Sequence, residues 1–252
     1  MFAQRLIVTW LVLAIGVISP SAADGVFVFV SNQDDATVSV VDTATDTVVA
    51  TVPVAFAPAG LAADRTGRSR HASDRGEISV NDVAERRVVR ALGIGGSPFG
   101  IALGQNGSLF VSDWRKNTVT APDPDTGRRL REIAVGRGPA GIVASPGGIL
   151  VFVANRESDT VTIINTGSLA VVATLPVGNA PFALAVSPDG GRLYVANVQS
   201  ADVSIISTET LQQVGSVKVG PMPYGLATST NGTRPYSPRP ACPRHTEGGP
   251  LP

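Results

Sequence analysis

From residue 24 to residue 232 the chain is a succession of short apolar runs cut by turn residues, and the stretch 179–208 shows the unit most fully. Phe182 to Val186 is apolar, Ser187-Pro188-Asp189-Gly190 is a turn, and Leu193 to Ala196 is apolar again. A polar loop follows, then an alternating run that carries Val203 and Ile205. This pattern predicts strand, tight turn, strand, loop, strand. Proline at the second turn position presets φ, and glycine at the fourth suits a type I turn. The unit recurs at a steady interval. The prolines that precede its first strand (Pro58, Pro98, Pro139, Pro181, Pro223) lie 40, 41, 42 and 42 residues apart. The third-strand anchors Val38, Ile78, Val119, Val161 and Val203 give the same four spacings.

A period near 40 with several short strands per repeat is the sequence mark of β-propeller blades. The first strand of each unit is built of small residues: Gly60-Leu61-Ala62, Gly100-Ile101-Ala102, Gly141-Ile142-Val143, Ala183-Leu184-Ala185 and Gly225-Leu226-Ala227. Small residues suit an innermost strand, where blades converge on a narrow channel. The second strand is led by an aromatic residue, as in Phe29-Val30-Ser31-Asn32 or Phe110-Val111-Ser112-Asp113, and is apolar on both faces, as a strand between packed sheets must be. The expected fold is all-β: a β-propeller of four-stranded blades, about five in number. The chain enters at a second strand (Val26 to Ser31) and leaves after a first strand (Tyr224 to Thr228). The N-terminal strands are expected to pair with that last inner strand. Such pairing would close the ring, remove exposed sheet edges and leave a monomer.

Composition agrees. Glycine (27) and proline (19) are abundant in the 252 residues, as befits a β domain with many turns. A formal net charge of zero argues against a nucleic-acid or membrane-surface partner. The N-terminus reads differently from the rest. Arg5 precedes an apolar run from Leu6 to Ile18, and Pro20-Ser21-Ala22-Ala23 offers small residues for cleavage after Ala23. Residues 1–23 are therefore expected to be a secretory signal peptide and the mature protein to be periplasmic or secreted, with no membrane attachment after cleavage. Residues 24–232 are the propeller domain. Residues 233–252 are expected to be a disordered proline-rich tail, since Arg234 to Pro252 holds six prolines and no apolar period. Cys242, the lone cysteine, has no partner for an internal disulfide. The second repeat departs from the pattern: Arg70-His71-Ala72-Ser73 stands where Leu193-Tyr194-Val195-Ala196 stands later, which predicts a decayed strand rather than a site built on His71.

The tetrapeptides Tyr194-Val195-Ala196-Asn197 and Phe152-Val153-Ala154-Asn155, the Ser187-Pro188-Asp189-Gly190 turn and the Val177-Gly178 and Val219-Gly220 elements carry a family likeness. Together they resemble the YVTN-type β-propeller repeat, over about Gly25 to Gly232. The resemblance implies an extracytoplasmic propeller, such as a surface-layer protein, a periplasmic binding propeller, or a propeller associated with quinone-cofactor alcohol oxidation.

Catalytic constellations are thin. The chain has no Gly-x-Ser-x-Gly elbow, no His-Glu-x-x-His and no Cys-x-x-Cys. The acidic stretch Asp123-Pro124-Asp125-Thr126-Gly127 reads as a turn between third and fourth strands rather than a calcium loop. No catalytic residue, metal ligand or cofactor is assigned. Binding is easier to place. In a propeller, the loops before the first strand and between the second and third strands gather at one mouth of the channel. There the residues after the anchoring prolines include Phe99, Phe182 and Tyr224, and the loops add Trp114, Arg115, Lys116, Arg137, Arg156 and Glu157. The expected function is an exported, non-enzymatic binding or scaffold propeller that takes a small molecule or protein at this face. One alternative is a lactonase-like hydrolase with a channel metal, although the inner strands offer no metal donors. Another is a single-stranded nucleic-acid binder using Trp114, Arg115, Lys116, Arg137 and the aromatic residues.

Overall fold

The computed structural model describes residues 17–18, 27–54, 58–63, 68–73, 75–82, 85–104, 107–229 and 235–236, with the side chains of 17–18, 68–73 and 235–236 outside that description. The period seen in the sequence becomes five antiparallel sheets of four strands each. The first holds β1 (Val17–Ile18), β2 (Phe27–Asn32), β3 (Thr37–Asp42) and β4 (Thr47–Pro53). The second holds β5 (Pro58–Ala63), β6 (Arg68–Ser73), β7 (Glu77–Asp82) and β8 (Arg87–Gly93). The third is β9 (Pro98–Leu103), β10 (Leu109–Asp113), β11 (Thr118–Pro122) and β12 (Arg129–Ala134). The fourth is β13 (Pro139–Ala144), β14 (Leu150–Asn155), β15 (Thr160–Asn165) and β16 (Ala170–Pro176). The fifth is β17 (Pro181–Val186), β18 (Arg192–Asn197), β19 (Asp202–Ser207) and β20 (Gln212–Lys218). A two-stranded ladder, β21 (Ala227–Thr228) with β22 (Pro235–Tyr236), ends the described chain.

Four of the five landmark prolines open an inner strand, so the missing N–H falls at a strand end, where the ladder loses least. The turns repeat as strictly as the strands. Each turn between second and third strands carries one residue in the left-handed region, at Ala36, Gly76, Asn117, Asp159 and Ala201. These five keep the register of the prolines, so the turn geometry is set by the hairpin and not by the local residue type.

Packing between sheets follows one rule. The aromatic-led face of one sheet meets the aliphatic face of the next. Phe29, Val38 and Val40 pack on Leu61. Ile78, Val80 and Leu92 pack on Leu109 and Val111. Phe110, Val119 and Ile133 pack on Val151, Val153 and Ile164. Phe152, Val161 and Ile163 pack on Leu193, Val195 and Ile206. Burying side chains of this size contributes roughly 1.5–3 kcal/mol each, so these interfaces are the main stabilising element of the fold.

The inner strands converge more closely than side chains allow. A Cβ on Gly100 would lie 2.8 Å from the Ala140 carbonyl oxygen, and one on Gly141 would lie 2.2 Å from that of Phe182. Ser112 ties two of these strands together. Its Oγ accepts from the Gly100 N–H at 2.8 Å and donates to the Ala140 oxygen at 2.8 Å.

The expected ring closure is not formed. Among the described residues, four hydrophobic clusters join successive sheets and none joins the fifth to the first. The faces left at the two ends show it. Val28, Val30 and Val41 are half-buried, whereas Leu193, Val195 and Ile206, on the corresponding face of the fifth sheet, are fully buried. At the other end Val217 is 51 % exposed, while its counterpart Leu175 packs against the fourth–fifth interface. The molecule is thus an all-β, propeller-like arc and not a closed five-blade ring.

The reason lies at the termini. The segment after Pro223 forms a strand only at Ala227–Thr228, and its partner is Pro235–Tyr236, not β2. The inner place beside β2 is taken instead by Val17–Ile18, through the pairs Val17↔Val28 and Ile18↔Phe27. Short strands thus fall within both terminal segments, 1–23 and 233–252. Cys242 lies outside the described residues. The second repeat keeps its architecture despite its polar residues. The β6 backbone pairs without a break with β7 and, with the same shift after the opening proline that the fourth and fifth sheets show, with β5, and the His71 and Arg70 side chains lie outside the described residues.

Candidate functional site

The inner strands β5, β9, β13 and β17, with residues 224–228, enclose a cavity of about 420 Å³. Its walls are Gly60, Leu61, Gly100, Ile101, Gly141, Ile142, Leu184 and similar residues. None of the lining residues carries a carboxylate, an imidazole or a thiol. Phe99, Phe182 and Tyr224 stand at one end of it, each directly after its anchoring proline.

These aromatic side chains form a continuous chain. The Phe182 and Tyr224 rings are 5.3 Å apart and edge-on at 89°. Phe99 meets Phe182 at 5.6 Å and 78°, and meets Trp114 at 5.4 Å and 52°. Edge-to-face contacts place the positive ring edge on a negative face and add about 0.5–1.5 kcal/mol per pair beyond the area they bury. Ala140, Ala180 and Val198 complete the cluster, and small residues there leave room for the rings. The Arg156 guanidinium lies over Trp114, with Cζ 5.7 Å from the ring centroid.

The structure therefore brings five of the nine expected site residues together: Phe99, Phe182, Tyr224, Trp114 and Arg156. The other four stand around them. Arg115 and Lys116 are exposed on the turn after β10. Arg137 donates from Nη2 to the Glu157 carbonyl oxygen at 3.0 Å, which links the loop before β13 to the turn after β14. The Glu157 side chain is exposed.

Several residues organise the mouth, and three of them, Asp113, Asn155 and Asn197, close the second-strand tetrapeptides, whose pattern marks their place but not their bonds. Asp113 is buried and holds the mouth turn. It accepts from the Ser97 N–H at one oxygen and from the Arg115 and Lys116 N–H groups at the other, each at 3.1 Å. Asn117 Oδ1 accepts from the Gly138 N–H at 2.9 Å and joins the third sheet to the fourth. Asn155 and Asn197 end their strands in the same way. Asn155 Nδ2 donates to Thr160 and Thr162, and Asn197 Nδ2 donates to Asp202 and Ser204. The acidic turn at Asp123 is closed by its own chain: Oδ1 accepts from the Asp125 and Thr126 N–H groups and from the Thr126 hydroxyl. These bonds, led by the Thr126 N–H, hold the Asp123 carboxyl below its ordinary pKa.

Asp202 is, with Asp113, a buried carboxylate of the turn network. Burial pushes its pKa up, but hydrogen bonds from Asn197, Ser200 and Lys218 outweigh burial and hold it below the usual value. A carboxylate with a lowered folded-state pKa stabilises the fold above its unfolded value, near 3.9, and ceases to do so as pH falls through the lower folded value. In Asp202→Asn the loss of stability between about pH 6 and about pH 2 is therefore expected to shrink relative to the parent. Urea unfolding at both pH values measures this; an unchanged difference would assign the effect to other carboxylates.

Comparison with known proteins bears on this geometry. The family model described as Lactonase, 7-bladed beta-propeller matches residues 104–226. The fold recurs in solved structures. Hydrazine synthase of Kuenenia stuttgartiensis aligns with a TM-score of 0.63 at 18% identity, over 94% of this chain and 96% of that one. A putative 6-phosphogluconolactonase from Bacteroides uniformis aligns at 0.70 and 19% identity, over 88% and 76%. A functionally unknown protein from Desulfotomaculum acetoxidans aligns at 0.69 and 20% identity, over 80% and 71%. At these identities the likeness is one of fold. No curated protein matches the chain. The family that this model describes has seven blades, two more than the four-stranded sheets found among the described residues. This is consistent with an arc that does not close at five.

Proposed function

We propose that the chain is a lactonase-type propeller that takes a cyclic ester, or the hydroxy acid it opens to, at the aromatic end of the axial cavity. One observation carries the reading. The segment matched by the lactonase family model, residues 104–226, contains Trp114, Arg156, Phe182 and Tyr224, four of the five groups that make up the mouth. The Bacteroides uniformis structure, described as a putative 6-phosphogluconolactonase, supports the same reading. The chemistry fits in part. The ring of a sugar-type lactone presents an apolar C–H face that can lie against Phe99 or Phe182, and the Tyr224 hydroxyl can donate to or accept from its oxygens. The channel metal of the hydrolase alternative lacks a donor set. No group of three or more His, Cys, Asp or Glu is placed to hold a metal among the described residues, so no step is routed through one. Export, suggested by residues 1–23, belongs to the proposal.

A second reading is favoured by the lining itself. A wall without carboxylate, imidazole or thiol offers binding but no evident general base. This is the exported, non-enzymatic binding propeller. The two readings separate in a pH-stat. Addition of the purified chain to a δ-lactone of an aldonic acid is expected to release protons faster than the spontaneous reaction. No acceleration, with binding retained, would leave the non-enzymatic reading in possession.

A further inference from the structure

We propose that Arg156 is an anion anchor, so that the mouth selects ligands carrying a carboxylate beside an apolar body; this rests on the reading of the mouth as a site for lactones and hydroxy acids. The Arg156 guanidinium is held over Trp114 by its charge and plane. Its Nε–H is shielded from solvent and has no hydrogen-bond partner. Among the described residues no carboxylate pairs with it. An orphaned N–H of a charged group costs stability, and native structures seldom keep one without a purpose. Asn155 Oδ1, Asn197 Oδ1 and Thr118 Oγ1 are also buried without a partner, but Arg156 is the one charged group among them. Arg137 is bonded to Glu157 O, and Asp113 is saturated by three backbone N–H groups.

Charge points the same way. Arg115, Lys116, Arg137 and Arg156 are set against Asp113, Glu157 and Asp159 in the same loops, and Asp113 and Asp159 are committed to backbone N–H groups. The mouth above the third and fourth sheets is therefore cationic in a molecule of zero net charge. A planar guanidinium matches a carboxylate through two parallel N–H···O bonds, and it binds the anion more strongly where an aromatic face excludes water on one side. The opening of a lactone creates such a carboxylate where the substrate had a neutral ester. Arg156 would thus favour the open hydroxy acid over the ring.

The test is a titration followed by Trp114 fluorescence, with gluconate as the carboxylate and sorbitol as the uncharged control of equal chain length. The intact chain is expected to bind gluconate more tightly than sorbitol. Arg156→Gln is expected to lose that preference by about tenfold or more. Arg156→Lys, which keeps the charge but not the planar fork, is expected to lie between. Circular dichroism confirms that each variant is folded, and the backbone bond from Arg156 N to Gly138 O does not depend on the side chain. Equal affinity for gluconate and sorbitol in the parent, or an unaltered preference in Arg156→Gln, overturns the proposal. The lactonase reading fails separately: gluconate selectivity that depends on Arg156, without lactone opening, retains the anchor and removes the enzyme. Lactone opening with an unaltered preference in Arg156→Gln does the reverse.

Discussion

Gly141→Ala is expected to destabilise the fold by about 3 kcal/mol or more, far beyond what one methyl group costs at most sites. The added Cβ would sit 2.2 Å from the carbonyl oxygen of Phe182, a backbone atom on the neighbouring inner strand. Neither partner can yield by rotating a side chain. Relief requires β13 and β17 to move apart, which disturbs the aromatic cluster above them and the fourth–fifth interface behind them. Ala183 occupies the corresponding place one sheet later and carries a methyl group without difficulty, since no inner strand follows it in regular pairing. Ala183→Gly is the control and is expected to cost only about 0.5–1 kcal/mol, through backbone entropy. Chemical denaturation of both variants measures the contrast. Equal midpoints for Gly141→Ala and the parent would mean that the inner strands are not in close contact.

The second large effect is expected at Phe182. Phe182→Ala should cost about 3–5 kcal/mol and weaken any ligand held at the mouth. Phe182 is buried and is the ring that touches both Phe99 and Tyr224. Its removal leaves a hole at the centre of the cluster and breaks the chain of rings in two. Phe182→Leu separates the causes. It restores most of the apolar volume but not the edge-to-face contacts, so its residual loss is expected to be about 1–3 kcal/mol. Unfolding curves give the stability, and a gluconate titration gives the affinity. A Phe182→Ala variant as stable as the parent would show that the rings rest on the arc without supporting it.

The periodic part of this fold was legible because every repeat buries the same positions. Val38, Ile78, Val119, Val161 and Val203 are all buried, and the prolines that mark the inner strands fall at the starts of four of them. Phe99, Phe182 and Tyr224 could be placed at the mouth by the same register. The closure of the ring could not be read in this way. It depends on contact between ends that are far apart in sequence, which the repeat phase suggests but does not enforce, and Ala227–Thr228 found a partner in Pro235–Tyr236 instead. The tail prolines pointed away from any strand there, yet a two-residue ladder needs few donors, and Pro235 sits at its end. Within the site, the stacking of Arg156 on Trp114 joins two different sheets, and the burial of Asp113 as a turn anchor depends on Ser97 from a preceding loop. Spacing alone records neither.

The position of β5, β9, β13 and β17 at the edge of their sheets governs what a ligand in the cavity would meet. Each inner strand is paired on one side only, and its other side faces the central space. Below Tyr224, and apart from the Thr228 hydroxyl, the polar surface offered there is main chain: peptide N–H and C=O groups, less those that Ser112 and Thr228 already engage. Peptide groups are the same whatever residue carries them. Recognition deep in the cavity would then be insensitive to point substitution and set by backbone spacing, while selectivity between ligands would be decided at the mouth. A lineage could change what this protein binds by altering a few loop residues, with the interior left as it is.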